Sequence, residues 1–288
     1  EEIMNAEELP SILPILPLRN TVLFPGVVIP ITVGRDKSIK LIKDAYIGDK
    51  IIGAVAQKDV DIEDPEIEDL NKIGTVARII KLLQMPDGST TAIIQGKKRF
   101  IMGDIIQTDP YIKATINAFD KVQQKLPNNK NFMAMISSLK DLSLQIIKQS
   151  PNIPSDAAFA IKNIESPVFL INFTCSNLDI PVHEKQRLLE IADINERTGQ
   201  VLTLLTKELQ IIELKNQIQN KVRSDIDKQQ RDYFLNQQLK TIQEELGGSP
   251  SEQEIKEIEE KASKKKWSKE VAESFNKELT KLKRMNPQ

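Results

Sequence analysis

The stretch Thr75-Val76-Ala77-Arg78-Ile79-Ile80-Lys81-Leu82-Leu83-Gln84, Met85-Pro86-Asp87-Gly88-Ser89, Thr90-Thr91-Ala92-Ile93-Ile94-Gln95 sets two apolar runs on either side of a polar turn. Proline and glycine pre-set the dihedrals of such a turn, so the stretch predicts a β-hairpin. Working outward, similar runs rich in Ile and Val occupy Ile12 to Leu18, Val27 to Val33, Lys50 to Gln57, Arg99 to Ile106 and Ile112 to Phe119. Turn residues separate them, as strands require. One helix interrupts: Asp36 to Tyr46 places Ile39, Ile42 and Tyr46 on one face. So many strands ahead of residue 120 predict a small, strongly bent sheet or barrel.

Beyond that point the chain changes character. Of its 11 glycines, eight lie between Gly26 and Gly103, and no proline occurs from Val182 to Ser249. Glycine suits turns and bulges and proline interrupts helices, so the rest reads as helix. Residues 120 to 193 predict a bundle of short helices, with Phe132, Met135, Ile136, Leu139 and Leu142 to Ile146 at helical spacing. From Asn195 to Leu246 the pattern predicts one long helix of about 78 Å, at 1.5 Å per residue. Along it Ile211, Leu214, Ile218, Val222 and Ile226, then Tyr233, Leu235, Leu239, Ile242 and Leu246, form an irregular coiled-coil-like seam. A helix that long must project or meet another chain. Gly247-Gly248-Ser249-Pro250 ends it, and Ser251-x-x-Glu254 reads as a capping box opening a charged helix. A last helix is expected from near Ser268 to about Arg284. The fold class is therefore α+β, with expected divisions at 1–119, 120–193, 194–247 and 248–288.

Composition narrows the function. The chain has 288 residues, 40% apolar and 28% charged, which fits globular structure rather than disorder. Forty basic against 41 acidic residues remove any bulk electrostatic drive toward nucleic acid or an acidic membrane. A single cysteine, Cys175, precludes an internal disulfide and fits a reducing, cytoplasmic setting. A single histidine, His183, leaves no His-rich metal site. No apolar run is long enough for a membrane span, and Glu1-Glu2 begins no signal peptide. The opening Glu1 and abrupt ending suggest a fragment.

Motifs for chemistry are missing. The phosphate-binding pattern G-x-x-x-x-G-K-[ST] does not occur; Gln95-Gly96-Lys97-Lys98 lacks both the earlier glycine and the hydroxyl residue. Seven acids crowd Asp59 to Asp69, but Asp64 and Leu70 stand where a calcium loop needs Gly and Glu, so a solvated loop is expected. Lys97-Lys98-Arg99-Phe100 and Lys264-Lys265-Lys266-Trp267 each put an aromatic beside three cations, a pattern that could contact phosphates and stack on a base. His183 and Cys175 are read as structural.

Leu13-Pro14-Ile15-Leu16-Pro17-Leu18-Arg19-Asn20-Thr21-Val22-Leu23-Phe24-Pro25-Gly26 closely resembles the opening of the Lon family of ATP-dependent proteases. Gln230-Arg231-Asp232-Tyr233-Phe234-Leu235-Asn236-Gln237-Gln238-Leu239-Lys240-Thr241-Ile242-Gln243-Glu244-Glu245-Leu246-Gly247 resembles that family's long-helix signature. Asp64-Pro65-Glu66-Ile67 through Gly74-Thr75-Val76-Ala77, and Leu189 to Arg197, agree in the same order. The resemblance implies a PUA-like β domain for substrate engagement and a helical part supporting a hexamer. It also implies an ATPase module and a Ser-Lys peptidase elsewhere in the parent, with ATP and magnesium as the parent's cofactors. Neither motif occurs here; Pro86-Asp87-Gly88-Ser89 is only superficially like the peptidase signature. No catalytic, cofactor or metal residue is therefore assigned.

The leading expectation is a non-catalytic region that binds unfolded or damaged polypeptide and self-associates. Promiscuous recognition needs accessible apolar surface, and the candidate contacts are Leu23, Phe24, Tyr233 and Phe234. The alternative is a PUA-like module binding nucleic acid, DNA included, through Lys97, Lys98 and Arg99. No membrane partner is expected.

Overall fold

The computed structural model describes residues 9–85, 89–119, 127, 129–150, 153, 156–245 and 250–284. Six strands form one sheet: β1 (Ile12–Leu18), β2 (Val28–Val33), β3 (Ile51–Ala56), β4 (Ile73–Gln84), β5 (Thr90–Gln107) and β6 (Lys113–Ala118). Their order is β2-β5-β4-β3-β1-β6, and β5 pairs again with β6. The pairings therefore run in a closed circuit through β5, β4, β3, β1 and β6. Only β1 and β3 are parallel, with Ile15 opposite Gly53. The 18-residue β5 makes the circuit close: Thr90 to Gln95 pair with β2, whereas Phe100 to Gln107 pair with β6. Register shifts in β4–β5 and β5–β6 supply the bend.

The two runs expected as separate strands, Thr90 to Gln95 and Arg99 to Ile106, are thus one strand. Gly96 does not break it. A Cβ there would lie 2.3 Å from the carbonyl oxygen of Phe24, so this glycine permits a close backbone approach. Residues 86–88 of the expected turn lie outside the described residues. Its flanks pair as a hairpin requires, with Gln84 opposite Thr90 and the Met85 N–H donating to the Ser89 carbonyl at 2.9 Å.

Alternation along β1 serves two cores. Leu13 and Ile15 pack with Val55, Val76, Phe100 and Ile116, while Leu16 and Leu18 face the other way, toward Ile52, Ile79 and Ile94. Helix α1 (Asp36–Ile47) closes the second core with Leu41 and Ile42.

The helices that follow are α2 (Lys130–Gln149), α3 (Asp156–Asn163), α4 (Pro167–Asn177), α5 (Val182–Glu190), α6 (Ile194–Glu245), α7 (Pro250–Ser263) and α8 (Lys269–Arg284). Asn129 caps α2 by accepting from the Phe132 N–H at 2.7 Å, and Ser166 caps α4 ahead of Pro167. Over 120–182 the helices are not all short, since α2 runs 20 residues. Helix α7 already includes Pro250 and Ser251, so it begins ahead of the start expected at Ser251, and a proline suits a first helical turn because its missing N–H would have no partner there. Residues 246–249, the expected helix stop, lie outside the described residues.

The chain divides into two compact units, Glu1–Leu214 and Lys215–Gln288. Within the first, the loop between β1 and β2 gives Val22, Phe24 and Val27 to a core shared with Phe132, Leu139, Leu170, Ile171, Leu188 and Val201 of the helices. Within the second, Trp267 packs edge-on against Phe275 at 4.6 Å between ring centres, and Lys283 pairs with Glu259 across α7 and α8 at 2.5 Å.

Candidate functional site

The expected contact residues separate by burial. Leu23 and Phe24 are core: Leu23 packs against the sheet and Phe24, 0% exposed, against the helices. They cannot present a contact surface, which corrects the expectation. The neighbouring loop explains why. The Leu23 carbonyl accepts from the Thr75 hydroxyl at 2.6 Å, and the Pro25 carbonyl from Asn172 at 3.1 Å. Gly26, at φ +80°, lies against the ring of Phe169. The loop is a clasp between sheet and helices.

Arg99 also leaves the surface. Its guanidinium is buried, its Nη1 donates to the carbonyls of Leu189 and Ile191 at 2.7 Å each, and it stacks 4.5 Å from the centre of the Phe119 ring. Arg99 therefore satisfies the last carbonyls of α5, where a cation is favoured by the helix dipole. It is a structural tie rather than a nucleic-acid contact. Lys97 and Lys98 are half-buried on β5. In the other basic group Trp267 is turned into packing, and only Lys264, Lys265 and Lys266 are exposed. His183 is exposed on α5. Cys175 is fully buried, and that burial pushes its thiol up to about 12, so it is an inert core residue.

Tyr233 and Phe234 stay accessible. Helix α6 gives Val201, Leu205 and Leu209 to the core, but every residue from Gln217 to Ile242 is exposed. Among these, Ile218, Val222, Ile226 and Tyr233 form one apolar face. At 100° per residue, Leu235, Leu239 and Ile242 lie about 140° around the helix from them, and Phe234 lies on the other side of the helix, more than about 100° from either group. The helix thus carries two apolar faces that change over near Tyr233, not one continuous seam. Gln237 donates to the Tyr233 hydroxyl at 3.1 Å, which orients that ring along the helix.

A second feature was not legible in the sequence. A cleft of 560 Å³ opens at the start of α1. Ile15 and Pro17 of β1 line it with Arg35, Ser38 and Leu41, opposite the loop Asp64 to Glu68 and the turn Thr108 to Ile112. The acidic loop is pinned, not loose. Gln57, buried at the end of β3, donates to the carbonyls of Asp59 and Ile62 at 3.2 and 2.9 Å, and its own carbonyl oxygen accepts from Arg35. Arg19 holds the Val60 carbonyl, Lys58 that of Glu68, and Glu66 and Asp69 cap one another's backbone. Burial, then the nearby Arg19, draws the Arg35 guanidinium below its ordinary pKa, against the pull of Asp64. At the mouth Lys37 pairs with Asp64 at 2.8 Å, and that hydrogen bond raises the lysine. Tyr111 donates to Asp44 at 3.2 Å; burial, then this bond, raises its phenol. The usable clue in the sequence was Gln57, a polar residue ending an apolar run beside seven acids. Among the described residues no group of three or more His, Cys, Asp or Glu is placed to hold a metal ion.

Comparison with known proteins adds identity to this geometry. A family model described as the ATP-dependent protease La (LON) substrate-binding domain matches residues 12–207. The chain is 58% identical over 290 residues to the Lon protease of Flavobacterium johnsoniae, covering 100% of this chain and 35% of that protein. It is 48% identical to the Lon protease of Cytophaga hutchinsonii, with the same two coverages. The chain therefore spans about a third of the length of these curated relatives. Among solved structures, the N-terminal domain of the Mycobacterium avium complex Lon protease superposes with a TM-score of 0.56 at 18% identity, over 68% of this chain and 98% of that one. At that identity the likeness is one of fold.

Proposed function

The chain belongs to the Lon substrate-binding domain family, and from that premise we propose that it captures unfolded or damaged polypeptide for a longer ATP-dependent protease. In this reading it is a non-catalytic region. The closed circuit of strands is a PUA-like barrel that engages substrate. The exposed half of α6 pairs with copies of itself, in coiled-coil fashion, to support a hexamer that delivers substrate to the ATPase and peptidase. ATP and magnesium act in those other parts, and the setting is cytoplasmic. Among the described residues no helix is long and apolar enough to cross a membrane.

The observation that carries the reading is the accessible apolar surface of α6, including Tyr233 at 68% exposed, in a chain of this family. Binding partners that share no sequence requires contacts indifferent to sequence, which apolar surface provides. The nucleic-acid alternative loses its best residue, since Arg99 is spent on the end of α5. The formal charge of −1 gives it no compensating drive.

One titration separates the two. A permanently unfolded protein is expected to bind with little change between low and moderate salt, because screening acts chiefly on exposed charges. Duplex DNA held through six to ten phosphates would lose about 10³ to 10⁵ in affinity between 50 and 200 mM salt. Binding of DNA alone, on that steep slope and abolished by Lys97→Ala with Lys98→Ala, would replace substrate capture with the alternative.

A further inference from the structure

The sheet and the helices of the first unit meet over an apolar contact that is narrow on the sheet side. Among the described residues, their shared core takes only Val22, Phe24, Val27 and Ala56 as buried residues from that side, and the first three belong to one loop. Ile29 and Ile73 flank them, partly buried. Gly26 of the same loop meets the Phe169 ring. Apolar attraction is non-directional. A single knob seated among helix side chains therefore resists separation better than it resists rotation about itself.

Three polar side chains cross the same boundary, each at most 4% exposed. Asn172 of α4 donates to the Pro25 carbonyl at 3.1 Å, inside the knob. The other two lie off it. Gln186 of α5 donates to the Ile73 carbonyl at 2.9 Å, where β4 begins. Arg99 of β5 donates to the carbonyls of Leu189 and Ile191, at 2.7 Å each, where α5 ends. Thr75 stands opposite Arg99, so Ile73 and Arg99 sit close together on neighbouring strands. Gln186 and Leu189 are three residues apart and share a face of α5. Sheet and helix thus grip each other reciprocally, each giving a donor and each a carbonyl. A hydrogen bond needs distance and angle together. Rotation about the knob would break both grips and draw a buried cation off its acceptors, which is costly.

We propose that Arg99 and Gln186 form a rotation lock, which fixes the angle between the sheet and α5 and, through α5, the direction of the start of α6. Ile191 lies three residues ahead of Ile194, where α6 begins. Between them Asp193 caps α6, its carboxylate accepting from the Glu196 N–H at 2.8 Å. A direction set at the end of α5 therefore passes to the first turns of α6, whose Val201, Leu205 and Leu209 lie in the same core. The lock does not depend on the substrate-capture reading. Where the sheet does engage polypeptide, the lock keeps the bound segment at one angle to the start of α6.

The test uses this chain with spin labels at Lys43→Cys on α1, which packs on the sheet, and at Lys207→Cys on α6. Cys175 is fully buried and stays unlabelled. Double electron–electron resonance then reads the distance distribution between the labels. Arg99→Met with Gln186→Met should broaden that distribution about twofold with circular dichroism unchanged, since bodies joined by a small interface move relative to one another. Leu139→Ala weakens the shared core from the helix side and leaves both grips intact. It should melt earlier yet keep the narrow distribution of the parent. Should the double variant fail to fold, Gln186→Met alone, which removes one grip only, takes its place and should broaden the distribution by less. A variant read in this way that stays as narrow as the parent would overturn the lock. So would equal broadening in Leu139→Ala, because loosened packing would then be the cause.

Discussion

The loop around Phe24 and the helix around Tyr233 both read as apolar segments, yet they end in opposite places. Phe24 shares a core with Leu139, Leu170 and other side chains from helices more than a hundred residues away. Tyr233 hydrogen-bonds to Gln237 of its own helix and remains accessible. Apolar character therefore does not distinguish core from accessible surface. Burial depends on whether distant parts of the chain bring a second layer, and the core of the first unit supplies one to the loop.

That contrast can be broken most directly by truncating the two aromatics. Phe24→Ala should destabilise the first unit by about 3–5 kcal/mol, the usual loss for emptying a packed aromatic site. Tyr233→Ala should change the stability by less than about 0.5 kcal/mol, as exposed substitutions do, while weakening capture of unfolded polypeptide. Thermal denaturation followed by circular dichroism reads both. A stable Phe24→Ala chain, or a Tyr233→Ala chain that melts early, would show the burial assignment to be wrong.

A smaller effect sharpens the same contrast within one basic triplet. Arg99→Met removes the donor to two buried helix-end carbonyls and should cost about 2–3 kcal/mol, the loss expected for charged hydrogen bonds. Lys97→Met, two residues earlier on β5, should cost under about 0.5 kcal/mol. Amide exchange should quicken at the end of α5 only in the Arg99 variant. Equal, small changes in both would mean that the tie to Leu189 and Ile191 contributes nothing.

The smallest effect concerns the inner part of α6. Burial, then the like charge of Asp179, raises the Glu208 carboxyl above its ordinary pKa; Lys185 and the Asp179 N–H act against them. The folded state then holds this proton more tightly than the unfolded one. Stability is present below the ordinary carboxyl range and is lost as pH rises through the raised value. Glu208→Gln should abolish that decline, gaining less than about 1 kcal/mol at neutral pH because the group is only half-buried. Melting curves at pH 4 and pH 7 check the sign: the variant should gain on the parent at pH 7 and not at pH 4.

How much was legible follows from the kind of signal each residue carries. The strand at Ile12 to Leu18 appears where alternation and flanking turn residues put it. The long helix runs Ile194–Glu245 against an expected Asn195 to Leu246. Gly96 was misread because a glycine that permits close approach looks, in sequence, like a glycine that breaks a strand. Arg99 was misread for a related reason, since a triplet of cations does not reveal that one of them points inward. The cleft escaped notice because its walls come from β1, α1, the acidic loop and the turn before β6.

By itself, then, the sequence determined the order and type of elements, the change from sheet to helix, and the family, because periodicity, turn chemistry and motif order are local properties of the chain. Which apolar residues stay exposed and which form the core, and which cations are held inside, followed from the tertiary structure alone. That structure also decided that an acidic loop forms the wall of a cleft. Burial and ion pairing depend on groups brought together from far apart in the chain, and no window of residues contains both partners.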